Sequence, residues 1–171
     1  MMKESLSRGM LRVAVCGCLL CGGIPLVAQT QEYLSEVWSP DLGNGMYKNP
    51  VIHADYSDPD VCAVGNDFYL TASSFSCVPG LPILHSKDLV NWKVVNYALK
   101  ELVPTDFYAT VQHGKGVWAP SIRYHNGEYY IYWGDPDFGV YMVKAEDPAG
   151  EWSEPVLVKA AKGIIVPCPS V

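Results

Sequence analysis

Two short stretches of the chain concentrate carboxylate side chains beside proline. Asp55-Tyr56-Ser57-Asp58-Pro59-Asp60 holds three acids, and Gly134-Asp135-Pro136-Asp137 ends a segment rich in aromatic residues. Paired carboxylates are the groups that glycosidic cleavage requires, because one protonates the leaving oxygen and the other activates water or attacks the sugar. Each stretch also has an ordinary interpretation, since Asp is favoured in turns. Asp58 and Asp135 are therefore candidate catalytic residues whose positions depend on the surrounding elements.

The elements around both acids are predicted to be β-strands. The segments VCAVGNDFYLTAS and IRYHNGEYYIYWG are rich in Val, Ile, Tyr and Phe, and turn residues interrupt them. Asn126-Gly127 is a dipeptide typical of a two-residue hairpin turn. No amphipathic helix of ten or more residues is evident between residues 50 and 171. The sequence therefore predicts an all-β fold.

An internal repeat organises these strands. An offset of 61 residues aligns Pro59 with Pro120 and pairs the strand formers that follow each proline. Later in each unit an Asp is followed by a Trp, at Trp92 and Trp152, which we interpret as packing residues. Each unit holds about four strands and cannot bury both faces of its sheet, a problem that a β-propeller solves by radial repetition. The sequence predicts about two N-terminal blades of such a propeller.

The last three residues, Pro169-Ser170-Val171, match the opening of each repeated unit. We therefore expect an incomplete propeller, from a truncated gene product or an incomplete gene model. The alternative is a small two-sheet β protein, which would leave its edge strands unprotected.

Asp58 differs from its counterpart in the repeat, which is Ala119. An acid where the equivalent residue is small suggests a role specific to the first unit. Asp58 precedes Pro59, which predicts an extended backbone at Asp58. The alternative is an Asp that caps the entry of a strand.

Composition and charge restrict the classes of partner. The 171 residues are 49% hydrophobic and 12% aromatic, with a formal net charge of −6. No Lys/Arg cluster stands out, so we expect no nucleic-acid partner. An acidic, aromatic-rich protein suits a neutral polar ligand such as a carbohydrate. The sequence gives no indication of the oligomeric state.

Residues 1–28 are predicted to be a secretory signal peptide. Lys3, Arg8 and Arg12 precede an apolar run that ends at Ala28. Its removal would leave a secreted or periplasmic protein without a membrane span, whereas the alternative is a buried N-terminal helix. We expect an irregular arm over residues 29–48 and the partial propeller over residues 49–171.

Three cysteines follow the predicted signal peptide, Cys62, Cys77 and Cys168. They lack CxxC spacing, so a zinc site is not supported. One disulfide, in an oxidising compartment, or three buried free thiols are both compatible with the sequence.

Four blocks of sequence together resemble glycoside hydrolase family 43. They are NPVIHADYSDPDVCAVGNDFYLTASSF, VPGLPILHSKDLVNW, GVWAPSIRYHNGEYYIYWGD and GIIVPCPSV, in the order and spacing of that family. The resemblance is greatest to its β-xylosidases and α-L-arabinofuranosidases. It implies a five-bladed propeller and an inverting hydrolase with three essential carboxylates. Val166 departs from the pattern, since relatives usually carry Asp before Pro-Cys-Pro.

The resemblance assigns roles to the two acids. Asp58 matches the general base, and Asp135 matches the acid that orients the proton donor and tunes its pKa. The proton donor is a Glu of the third blade, and no residue of this chain matches it. The resemblance therefore implies that the complete enzyme cleaves arabinose- or xylose-containing glycans. It also implies that this fragment, which lacks the proton donor, is itself inactive.

Two aromatic residues near the predicted strand entries are candidates for the floor of a sugar pocket, Trp118 first and Phe75 second. Apolar sugar faces stack on aromatic rings much as rings stack on each other. Either residue could instead pack between blades. We expect no cofactor, and no metal site from these residues. Two alternatives to an enzyme stay open, a non-catalytic propeller that binds carbohydrate and a non-functional remnant.

Overall fold

The computed structural model describes residues 37–169. The predicted signal peptide, the first residues of the predicted arm, Ser170 and Val171 lie outside this range. The described residues form eight strands and one short helix. These are β1 (Asp60–Val64), β2 (Asp67–Thr71), β3 (Gly80–Ser86), β4 (Lys93–Leu99), α1 (Thr105–Tyr108), β5 (Trp118–His125), β6 (Glu128–Asp135), β7 (Gly139–Ala145) and β8 (Val156–Ala160).

The strands form two four-stranded antiparallel sheets, ordered β1-β2-β3-β4 and β5-β6-β7-β8. The predicted repeat of about four strands per unit is thus confirmed. Asn126 and Gly127 join β5 to β6 with φ values of 49° and 88°. Positive φ at both central residues is typical of a type I′ hairpin turn, which the Asn-Gly dipeptide predicts.

The main hydrophobic core contains residues from both sheets. Leu81 and Ile83 of β3 belong to one buried cluster with Ile122 of β5 and Ile131 of β6. All four side chains are fully buried. Each sheet alternates side chains between two faces, so packing one face against the neighbouring sheet removes a continuous apolar surface from water.

An ion pair joins β1 and β5, the first strands of the two sheets. Arg123 Nη1 of β5 lies 2.5 Å from Asp60 Oδ2 of β1. The Ile122 N–H donates to the same carboxylate oxygen at 2.9 Å. Asp60, the last acid of the first cluster, thereby connects β1 to β5.

The repeated tryptophans pack as predicted. Trp152 packs against the main core, and Trp92 against a smaller cluster formed by Leu70, Ala72 and Leu84. Cys62, Cys77 and Cys168 are free thiols, but the predicted burial is wrong for Cys77 and Cys168, which are exposed, while Cys62 is half-buried. Within residues 37–169, no helix has the length and apolar character needed to cross a membrane.

The core between the sheets provides a first prediction. Ile122→Ala removes a fully buried side chain from that core, so we expect it to lower the free energy of unfolding by about 2–5 kcal/mol. Urea titration followed by circular dichroism measures this change.

The matched control is Val111→Ala, which truncates a β-branched side chain that is 74% exposed. We expect the control to change the unfolding free energy by no more than about 0.5 kcal/mol. Equal effects of the two variants would contradict the placement of the core.

Candidate active site

Asp58 lies immediately before β1, and its side chain is exposed. The predicted extended backbone is wrong, because Asp58 has a φ of 50°. Asp tolerates this left-handed region better than most residues. Hydrogen bonds hold the conformation, since the Ser73 N–H donates to Ser57 O at 3.0 Å and Ser73 Oγ donates to Asp58 Oδ2 at 2.8 Å. The preference for an extended backbone that Pro59 imposes on Asp58 is therefore overridden by contacts of Ser73, which lies 15 residues further along the chain.

The repeat counterpart of Asp58 has a similar backbone. Ala119 has a φ of 36°, and its N–H donates to Ser73 Oγ at 2.7 Å. Asp58 and Ala119, near the start of the first strand of each sheet, thus share a positive φ but differ in side chain. The difference between positions 58 and 119 therefore lies in the side chain and not in the sign of φ.

Asp135 ends β6, where it pairs with Gly139 of β7, and its side chain is buried. Tyr108 of α1 donates its hydroxyl proton to Asp135 Oδ2 at 2.5 Å. The Asp137 N–H donates to Asp135 Oδ1 at 2.9 Å. Asp135 therefore combines the turn interaction that its sequence suggests with a burial that a simple turn residue does not need.

Burial and hydrogen bonding act in opposite directions on Asp135. Burial raises the pKa of its carboxyl above the ordinary value of 3.8, because a charged carboxylate loses hydration there. Hydrogen bonds from Tyr108 and from the backbone N–H groups of Asp137 and Phe138 partly offset this rise. The same contact raises the pKa of Tyr108, where burial is the larger cause.

The register of β5 brings the two acids to one end of the sheets. Trp118 pairs with Gly134, the residue before Asp135. The next residue along β5, Ala119, binds Ser73 Oγ, which in turn binds Asp58. Paired strands lie about 4.7–4.9 Å apart. Asp135 is therefore one residue from the strand partner of Trp118, and Asp58 is connected through Ser73 to Ala119, the next residue of β5.

The two predicted aromatic residues lie at the same place. The rings of Phe75 and Trp118 contact each other edge to face, with centroids 5.2 Å apart and planes at 89°. Phe75 also forms a backbone bridge with Val117, through N–H···O bonds of 2.9 and 3.1 Å. Both rings are partly exposed. The structure thus places all four predicted site residues around the start of β5.

Several contacts of the site were not predicted from the sequence. Ser73 and Tyr108 bind the two acids directly, and Lys115 Nζ lies 3.1 Å from Asp137 Oδ2 and 4.9 Å from the centroid of the Phe107 ring. Tyr108 and Lys115 belong to the segment between the repeated units, where a comparison of the units gives no signal. Ser73 is recognisable only as a small polar residue that follows a strand.

Two of the described glutamates are paired with lysines, Glu128 with Lys144 and Glu151 with Lys100. Within residues 37–169 no group of three or more His, Cys, Asp or Glu side chains could hold a metal ion.

Comparison with known proteins shows the family to which this chain is similar. Residues 47–168 match the family described as glycosyl hydrolases family 43. The chain is 42% identical over 121 residues to a non-reducing end α-L-arabinofuranosidase of Bacteroides ovatus, a match covering 68% of this chain and 23% of that protein. It is 36% identical over 121 residues to a β-xylosidase of Formosa agariphila, covering 69% of this chain and 20% of that protein.

Solved structures agree with these sequence matches. The Bacteroides ovatus xyloglucan PUL GH43B aligns with a TM-score of 0.57 at 41% identity, over 64% of this chain and 23% of that one. A family 43 protein from the capybara gut metagenome aligns with a TM-score of 0.56 at 36% identity, over 63% and 21%. The match therefore spans about a fifth to a quarter of the length of these relatives. The two sheets match part of the five-bladed propellers of this family, which confirms the predicted fold class.

A second prediction concerns the hydroxyl bound to Asp135. Tyr108→Phe removes a donor that favours the ionised carboxylate, so we expect the pKa of Asp135 to rise further above 3.8. A carbon-13 NMR titration of the Asp135 carboxyl measures this change. Tyr47→Phe is the control, because Tyr47 is 57% exposed and lies in the arm before the first sheet. An unchanged or lowered pKa in Tyr108→Phe would contradict the assigned hydrogen bond.

A third prediction compares two glycines that precede Trp118. A Cβ at Gly116 would lie 2.4 Å from Phe75 O, whereas a Cβ at Gly114 would meet nothing within 4 Å. Both glycines have positive φ, so both alanine variants carry backbone strain of about 1–3 kcal/mol. We expect Gly116→Ala to lose a further 1–3 kcal/mol or so of unfolding free energy because the Phe75 bridge must move. Equal losses in chemical denaturation would show that this close approach is absent.

Proposed function

The chain belongs to glycosyl hydrolases family 43, and from that premise we propose that the protein hydrolyses O-glycosidic bonds of arabinose- or xylose-containing plant glycans. The reaction is a single displacement with inversion at the anomeric carbon. The observation that carries the proposal is the convergence of Asp58, Asp135, Phe75 and Trp118 at the start of β5. The names of the relatives, an α-L-arabinofuranosidase and a β-xylosidase, support the class of sugar.

Asp58 is the proposed general base. Its carboxylate is exposed, so water reaches it, and Ser73 occupies only Oδ2. Among the described residues, Oδ1 has no hydrogen-bond partner and is available to accept a proton from water. That water attacks the anomeric carbon on the face opposite the leaving group, which requires about 6.5–9.5 Å between base and acid.

Asp135 is proposed to act on the proton donor rather than on water. Its side chain is buried, and both carboxylate oxygens already accept hydrogen bonds. A fixed negative charge beside a carboxylic acid favours the protonated form of that acid. The donor is expected to be a Glu of a third blade, and none of the glutamates in residues 37–169 matches it.

Phe75 and Trp118 are proposed to contact the sugar. Their edge-to-face pair lies beside both acids and leaves each ring partly exposed. An apolar sugar face packs on such a surface while its hydroxyls hydrogen-bond elsewhere.

We also propose that the protein is exported, as a secreted or periplasmic hydrolase. The support is the sequence of residues 1–28, with a basic start and an apolar run that ends at Ala28. Export suits an enzyme whose substrate is a plant polysaccharide or an oligosaccharide released from one.

The base role gives a fourth prediction, tested in the full-length product of the gene. Asp58→Asn keeps the size of the side chain but removes the base, so we expect kcat on an aryl arabinofuranoside or xyloside to fall by about 10²–10⁴-fold. Asp55→Asn is the matched control, because it neutralises another exposed carboxylate three residues earlier. We expect that control to keep its activity within about threefold.

Full activity in Asp58→Asn would exclude Asp58 as the base. A wild-type protein that binds xylan or arabinan fragments in calorimetry but cleaves no substrate would favour the second candidate function, a carbohydrate-binding propeller without catalysis.

A further inference from the structure

Ser73 links the candidate base to the second sheet. It follows β2, is 6% exposed, and makes three hydrogen bonds. Its N–H donates to Ser57 O at 3.0 Å, its Oγ donates to Asp58 Oδ2 at 2.8 Å, and its Oγ accepts the Ala119 N–H at 2.7 Å. One small residue thus connects the residue before Asp58, the carboxylate itself and the second residue of β5.

The direction of the hydroxyl proton follows from the partners. A backbone N–H can only donate, so Ser73 Oγ must accept from Ala119. A serine hydroxyl has a single proton to donate, and an ionised carboxylate can only accept. The Ser73 proton is therefore directed at Asp58 Oδ2, which fixes the carboxylate plane and leaves Oδ1 for water.

The two residues that hydrogen-bond to Ser73 Oγ both have an unfavourable backbone conformation. Asp58 and Ala119 both have positive φ, at 50° and 36°. Such conformations cost about 1–3 kcal/mol and persist where neighbouring groups hold them. Because Ser73 binds both residues, it fixes the position of Asp58 relative to Trp118, the residue before Ala119.

We propose that Ser73 is a positioning residue for the general base. It holds Asp58 Oδ2 in a fixed position relative to β5, the first strand of the second sheet. This inference rests on the base role proposed above for Asp58. A carboxylate that rotates freely about its side-chain bonds spends less time aligned with the attacking water. Misplacement of a reacting group by about 1 Å can cost on the order of 100-fold in rate.

The test uses the full-length gene product and three variants. Ser73→Ala removes the hydroxyl, and Ser73→Thr retains it. Ser74→Ala is the matched control, because Ser74 Oγ accepts the Leu81 N–H at 3.1 Å within the first sheet and has no contact with Asp58. We expect Ser73→Ala to lower kcat by about 10- to 100-fold with KM changed less than about threefold. Ser73→Thr should recover most of that loss, and Ser74→Ala should stay near the wild type.

A double-mutant cycle separates positioning from a general structural effect. If Ser73 acts through Asp58, then Ser73→Ala should cause little further loss of kcat in an Asp58→Asn background. Similar losses in both backgrounds would overturn the proposal, as would a folded Ser73→Thr that is no more active than Ser73→Ala. Thermal melts of every variant establish that the compared proteins are folded.

The outcome for Asp58→Asn alone keeps the two proposals distinct. Full activity in that variant removes the base role itself. A large loss in Asp58→Asn together with near wild-type kcat in Ser73→Ala leaves the base role standing and removes only the positioning role of Ser73.

Discussion

The packing of one sheet face against the next is the constraint on which the rest of this protein depends. A four-stranded meander has two faces, and the apolar face that contains Leu81 and Ile83 is covered by the sheet that contains Ile122 and Ile131. That packing fixes β1 beside β5, with Asp60 and Arg123 paired across the junction. Because Asp58 precedes β1 and Asp135 ends the strand beside β5, the same packing brings both acids to one place.

The two acids then differ through their surroundings. Asp58 is exposed and holds one hydrogen bond to a neighbouring side chain, whereas Asp135 is buried with donors on both oxygens. Environments of this kind give chemically identical groups different tasks in one site. The exposed carboxylate suits an exchange of protons with water, and the buried one suits a fixed charge that influences a neighbour.

Three of the six described non-glycine residues with positive φ lie at this junction. Asp58, Phe75 and Ala119 all have positive φ although none is glycine. Each is held by a hydrogen bond that crosses between segments, from Ser73 to Asp58, from Ala119 to Ser73 and between Phe75 and Val117. Strain that is held by long-range contacts is typical of positions where the placement of a side chain serves function. At the start of β5, long-range hydrogen bonds therefore hold the backbone of Asp58, Phe75 and Ala119 in place.

The strands, the hairpin turn at Asn126-Gly127 and the repeat were predictable from the sequence, which also singles out Asp58, Asp135, Trp118 and Phe75 as candidates. These features follow from local composition and from the regular spacing of similar residues. The left-handed backbone of Asp58 and the hydrogen-bond partners Ser73 and Tyr108 depend on the folded arrangement of the two sheets. Ser73 binds Ala119 from 46 residues away, and Tyr108 binds Asp135 from 27 residues away. Such contacts depend on how two sheets pack, and neither the type of a serine or tyrosine nor its place in the chain indicates which distant group it will meet.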